Sequence, residues 1–128
     1  MTDHGHFHWN ELMTRDVAGA KAFYSASLGW TFSDMPMPGS DGGTYHIAMA
    51  GDQMVGGIFD ITGMPGMDQV PPSWMAYIAV DDIDARTAKA EAGGANVIQA
   101  PFDVPGVGRI AMIIQPDGAM IGWMTPSE

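Results

Sequence analysis

The strongest constraint on this chain is that its two halves carry the same punctuation in the same order. Alternation gives a strand from Trp9 to Thr14, Asp16 follows as an N-cap, and VAGAKAFYSASL sets Val17, Ala20, Phe23, Tyr24 and Ser27 at helical spacing before Gly29 stops it. Three more extended segments, GWTFSDM, TYHIAMA and MVGGIFDI, complete the half, with PMPGSDGG as a turn-rich loop and Gly51-Asp52 joining the last two. The second half repeats the series: WMAYIAV, the Asp82 cap, the helix IDARTAKAEA, the stop at Gly93-Gly94, then ANVIQA, GRIAMIIQ and AMIGWMT. A fixed offset of 66 pairs Trp9 with Met75, Glu11 with Tyr77, Asp16 with Asp82, Met54 with Met120 and Gly56 with Gly122. With 128 residues there is room for one substantial core but not for two independent ones, so both halves must share it. The expectation is an α+β fold of two tandem βαβββ modules, residues 8–61 and 74–125. A Gly/Pro-rich linker, 62–73, joins them within a single domain over 1–128.

Composition narrows the function. Five Lys and Arg against 15 Asp and Glu give a net charge of −10, which repels phosphate backbones and argues against nucleic-acid binding. Every apolar run is broken by Gly, Pro or polar residues before it reaches membrane-spanning length, and no basic segment with an apolar stretch opens the chain. A soluble, cytoplasmic protein is expected. The absence of cysteine excludes disulfides, thiolate metal sites and a cysteine nucleophile. Twelve methionines suit either gap-filling in the core or an adaptable binding surface.

The run HGHFHW places His4, His6 and His8 at alternate positions with Glu11 close behind. On an extended strand residues two apart project to the same side, so three imidazoles could converge on one ion. The spacing permits a metal site without specifying one.

The phrases DVAGAKAFYSASLGW and QPDGAMIGWM, together with the W-x-E-L-x-T-x-D pattern at Trp9, Glu11, Leu12, Thr14 and Asp16, resemble the vicinal oxygen chelate superfamily. This is the glyoxalase, bleomycin-resistance and extradiol-dioxygenase group, and the likeness runs from Trp9 to Met124, nearest to its small glyoxalase-like proteins. The resemblance implies two βαβββ modules forming a cupped antiparallel mixed sheet with outer helices, a ligand cleft in the concavity, and a homodimer. In metal-dependent members the ligands are a His on the first strand of each module and a Glu on the last. Those positions fall here on Trp9, Met75, Gly56 and Gly122, none of which supplies a hard-cation donor, so no metal cofactor is expected. His8, one residue before Trp9, would face away from it.

Glu11 and Met13 share the side of Trp9, and Met75 shares that of Tyr77. Gly56 and Gly122 would open space beside Met54, Met120 and Met124, giving an apolar, aromatic small-molecule site. Glu11 is the polar exception: it could act as a general base, meet a cationic ligand, or bond structurally to Tyr77 or Arg109. His46 would be its acid-base partner if the third strand turned it inward. Trp30, Trp74 and Trp123 read as packing residues. The leading expectation is a metal-free binder of a small organic molecule. The alternative is an enzyme of the same superfamily, either a metal-dependent lyase, isomerase or oxygenase, or a metal-free one using Glu11. A third possibility is a structural module whose concavity is filled.

Overall fold

The computed structural model describes residues 4–36, 44–64, 66–104 and 107–127, so nearly all of the expected loop PMPGSDGG lies outside the described residues. The elements run β1 (Phe7–Thr14), α1 (Val17–Leu28), β2 (Thr31–Pro36), β3 (Thr44–Ala50), β4 (Gln53–Asp60), β5 (Ser73–Ala79), α2 (Ile83–Ala92), β6 (Asn96–Val104), β7 (Gly108–Ile114) and β8 (Met120–Pro126). This is the expected α+β order of two βαβββ modules, with both helices where their spacing put them. No helix among the described residues is long and apolar enough to cross a membrane.

The chain divides into two compact units, Asn10–Trp74 and a second made of Met75–Glu128 with the N-terminal segment Met1–Trp9. In the first, the strands lie in the order β2-β3-β4-β1. The meander β2-β3-β4 is antiparallel, and it returns β4 to lie parallel to β1. Local chemistry fixes the helix between them. The Asp16 carboxylate accepts from Gly19 N at 2.9 Å, and Gly29, at φ 74°, returns its N–H to the last turn in a left-handed conformation that a side chain would strain. No residue of α1 is fully buried. Tyr24 instead stacks on Trp30 with ring centroids 4.9 Å apart and takes a hydrogen bond from Trp74 Nε1 at 2.9 Å, which bears out the packing role for both tryptophans.

The second unit has the corresponding order β5-β8-β7-β6, again with its first and last strands parallel. Asp82 caps α2 by accepting from Ala85 N at 3.2 Å. Here the helix does bury side chains, Ile83 and Thr87, and Ile83 joins Val80 and Ala111 in a cluster against which Ile78 and Trp123 pack. The N-terminal segment is tied to this unit: Gly5 N donates to Ala79 O and Ala79 N to His6 O, both at 2.8 Å. Between the modules the chain turns repeatedly, with Met64, Met67 and Val70 N–H groups each bonding a carbonyl three residues back. Arg15 clamps these turns by donating to Met67 O at 2.6 Å. Three successive turns and a guanidinium clamp give this Gly/Pro-rich stretch a definite path.

Candidate functional site

The parallel pairing of β1 with β4 sets Glu11 directly opposite Gly57. Tyr45 lies on β3, beyond β4, and its ring lies over Gly57 so closely that a Cβ there would overlap the hydroxyl. That hydroxyl donates to Glu11 Oε2 at 2.7 Å. Glu11 is 5 % exposed, so its carboxyl group would be costly to leave without a hydrogen-bond partner, and the Tyr45 bond offsets part of that cost. Three strands thus build one contact: β1 supplies the acid, β3 the phenol, and β4 the gap.

The second unit has a related arrangement. Tyr77 on β5 is opposite Gly122 on β8, and a Cβ at Gly122 would stand 2.5 Å from the Tyr77 ring, which is 1 % exposed. By alternation Met75 and Ala79 share the face of Tyr77, while Met120 and Met124 share that of Gly122. Ile78 and Trp123 go to the opposite face, against the cluster beside α2.

Two expectations are corrected. Gly56 does not open space beside Met54: a Cβ there would meet Asn10 O at 3.1 Å and the Trp74 ring at 3.5 Å, on the aromatic face of the unit. A register shift sets Gly56 opposite Ala48 but Met54 opposite the next residue, Met49, so Met54 does not share that face, and it is 62 % exposed. The cause is parity, because the first module has one residue more than the second between its capping aspartate and the glycine opposite the first strand, and the gapless offset chose the wrong member of the Gly56-Gly57 pair. His46 is not turned toward Glu11 either. Its Nδ1 lies 2.8 Å from Asp34 Oδ1, and Lys21 Nζ lies 2.9 Å from the same oxygen. Hydrogen bonds from Lys21 and then His46 hold the Asp34 carboxyl below its usual range. Tyr45, the preceding residue, therefore takes the inward direction. No sequence motif marked it; the parity of Tyr45 and His46 was the available signal.

The other candidates have structural partners. Arg109 forms a bidentate pair with Asp84, both bonds 2.9 Å, and an ion pair with Asp103, rather than reaching Glu11. His4 accepts from Asp81 N at 3.1 Å, while His6 and His8 are exposed, and Trp9 is half-buried. A shallow depression of about 290 Å³ beside α2 is lined by Asp81, Asp82, Ala85, Arg86 and Lys89, with Arg86 paired to Asp81. It contains none of the expected site residues.

The residues do not fit the metal that the resemblance implies. Trp9 offers only an N–H donor and Met75 a thioether, and the glycines opposite the first strands, Gly57 and Gly122, are covered by tyrosine rings where a carboxylate would have to stand. Among the described residues no three His, Asp or Glu side chains gather to hold an ion.

The family model described as Glyoxalase/Bleomycin resistance protein/Dioxygenase superfamily matches residues 5–122. A Mycobacterium tuberculosis protein named "Putative glyoxylase CFP32" is 44% identical over 119 residues, covering 93% of this chain and 43% of its own. The Anthracycline biosynthesis protein DnrV of Streptomyces peucetius is 35% identical over 119 residues, covering 87% and 43%. The chain thus spans less than half the length of these curated relatives. Among solved structures, methylmalonyl-CoA epimerase from Mycobacterium tuberculosis shares the fold at TM-score 0.59 and 17% identity, covering 97% of this chain and 89% of that one. A Streptomyces coelicolor methylmalonyl-CoA epimerase in complex with 2-nitronate-propionyl-CoA does so at 0.63 and 14%, covering 98% and 100%.

Proposed function

The chain belongs to the glyoxalase/bleomycin resistance protein/dioxygenase superfamily, and on that premise we propose that it is a glyoxalase-like protein that binds a small organic molecule without the usual metal. The observation that carries this reading is the pair of last-strand glycines, Gly57 and Gly122, each covered by a tyrosine ring. A tyrosine ring over a glycine leaves no donor at a position where the metal-dependent members need one, yet it furnishes an apolar, aromatic wall with a polar tip, the usual lining of a small-molecule site. Beside it, Glu11 is the orienting polar group and Met13 the adaptable apolar one. Met75, Tyr77, Met120, Gly122 and Met124 form the corresponding surface of the second module. Met13, Met75 and Met124 are buried, so binding would move flexible thioether side chains rather than rigid ones. The acidic balance favours a cationic or neutral ligand. The relatives named for anthracycline biosynthesis make polycyclic aromatics the first compounds to examine.

The test is calorimetric titration with a panel of polycyclic aromatic compounds, comparing the wild type with Trp9→Ala whose fold is verified by circular dichroism. Saturable binding that weakens in the variant is expected; a panel in which nothing binds the wild type would remove the reading. A second reading, metal-free catalysis with Glu11 as base, is favoured by one feature, the burial of that carboxylate beside a phenol. Turnover of any bound compound, abolished in Glu11→Gln, would select it. Either function suits a homodimer, which analytical ultracentrifugation would detect.

A further inference from the structure

Resting on the homodimer reading and on no particular ligand, we propose that α1 and the aromatic rings around it form the surface through which two copies of this chain associate about a two-fold axis. The two helices present opposite surfaces. α2 buries Ile83 and Thr87, and its remaining positions include Asp84, Arg86, Lys89 and Glu91, the make-up of a helix that faces water on its outer side. α1 has no fully buried residue, and over VAGAKAFYSASL its single charge is Lys21, whose ammonium donates to Asp34 at 2.9 Å. Ala18, Ala22, Phe23 and Ala26 are exposed and bring no charge to the solvent side. A helix that is apolar on most sides is normally covered.

The apolar surface continues beyond the helix backbone. The Phe23 ring meets Tyr24 edge-on at 4.9 Å, Tyr24 meets Trp74 at 5.8 Å, and Trp30 meets Trp74 at 6.1 Å. Leu28 follows Tyr24 by one turn of the same face. Phe23 is 61 % exposed, Leu28 59 % and Trp74 41 %. Side chains of this size at such exposures leave on the order of 400 Å² of apolar surface in water, within the range of patches that mark interaction sites.

Charge selects the partner. Two copies with a net charge of −10 each repel one another over most of their surface, and an uncharged face is where they can approach. A basic protein would be drawn to the carboxylates elsewhere rather than to this face. A lipid surface is held by Lys and Arg flanking the apolar side, and α1 offers only Lys21, which Asp34 already engages. An apolar aromatic patch is complementary to itself, so a two-fold contact sets the same rings on both sides and buries roughly 800–1,000 Å² in total. That area is at the lower edge for a stable dimer and predicts weak, concentration-dependent association.

Sedimentation equilibrium of the full chain tests this. A monomer–dimer equilibrium is expected, with a dissociation constant of about 10–100 μM, tightening several-fold as sodium chloride rises from about 50 to 500 mM and screens the repulsion. Ala22→Glu should weaken association at least about tenfold by setting like charges across the axis, while the same change on α2, Ala88→Glu, should alter it less than about twofold. Because the chain has no cysteine, a bismaleimide spanning about 10 Å, the usual spacing of packed helices, should link Ala22→Cys into dimers and leave Ala88→Cys monomeric.

A wild type that stays monomeric to about 1 mM would overturn both the surface and the homodimer reading. Dimers that survive Ala22→Glu, loosen with salt, or link through Ala88→Cys but not Ala22→Cys would overturn the surface alone. Flotation of the wild type with neutral phosphatidylcholine vesicles, lost in Ala22→Glu, would overturn it in favour of a lipid partner. Thermal melts of all variants, read by circular dichroism, separate these results from loss of fold.

Discussion

In the first module the glycine of the last strand is covered from the far side, by Tyr45 reaching over β4 from β3. In the second it is covered from the near side, by Tyr77 on the adjacent β5. The same backbone solution therefore carries two kinds of tyrosine. Tyr45 is only half-buried and ends on a carboxylate, whereas Tyr77 is fully buried and belongs to the interior. The helices differ in the same sense: α2 buries Ile83 and Thr87, while α1 buries nothing fully and leaves Phe23 and Leu28 exposed. The comparison teaches that an internal repeat can preserve strand order, caps and a tyrosine ring over the last-strand glycine while leaving that ring half-buried in one module and fully buried in the other.

The contrast makes graded predictions. Gly122→Ala should have the largest effect on stability. Its methyl group would stand 2.5 Å from a ring with no room to retreat, and overpacking of this kind costs about 3 kcal/mol. Urea unfolding measures it, and a loss below about 1 kcal/mol would show that Tyr77 is not locked. Gly57→Ala should cost less, about 1–2 kcal/mol, because half-buried Tyr45 can swing away, at the loss of its bond to Glu11. If the two substitutions cost the same, the distinction between the modules fails.

Cap removal comes next. Asp16→Ala and Asp82→Ala should each lose about 1 kcal/mol. Amide hydrogen exchange should rise more over α1 than over α2, since α1 has no fully buried residue to hold its turns once the cap is gone. The smallest effect is on pH dependence. Hydrogen bonds from Lys21 and His46 lower the Asp34 carboxyl from its ordinary value of 3.8, so folding favours its ionised form. The resulting stability is present above the unfolded-state value and is lost as pH falls through the folded one. Asp34 is about half exposed, so solvent screening keeps the contribution small. Asp34→Asn should flatten the acid limb of the urea midpoint below about pH 4 and leave neutral stability within about 0.5 kcal/mol.

What the chain disclosed in advance follows from the range of the interactions. Both helices, their aspartate caps and the Gly29 stop depend on neighbours within four residues, and the spacing located them correctly. The order of the strands followed from the repeat. The facing of β4 did not, because two adjacent glycines offer either parity and only pairing with β1 chooses Gly57 over Gly56. His46 was misassigned for a related reason. Its partner Asp34 is on the neighbouring strand, and Tyr45 is told from it only by which face β3 presents. The ties of Gly5 and His6 to Ala79 had no local signal, since they depend on residues more than seventy positions away.

The central claim is that tyrosine rings stand over the last-strand glycines in place of metal ligands. Its most direct test is elemental analysis of the full chain, purified without chelator or affinity tag, after equilibration with zinc, nickel, manganese and iron in turn. The account predicts substoichiometric metal throughout, with no change in Gly57→Ala or Tyr45→Phe. One equivalent of any of these metals, retained through gel filtration and lost in Glu11→Gln, would contradict it.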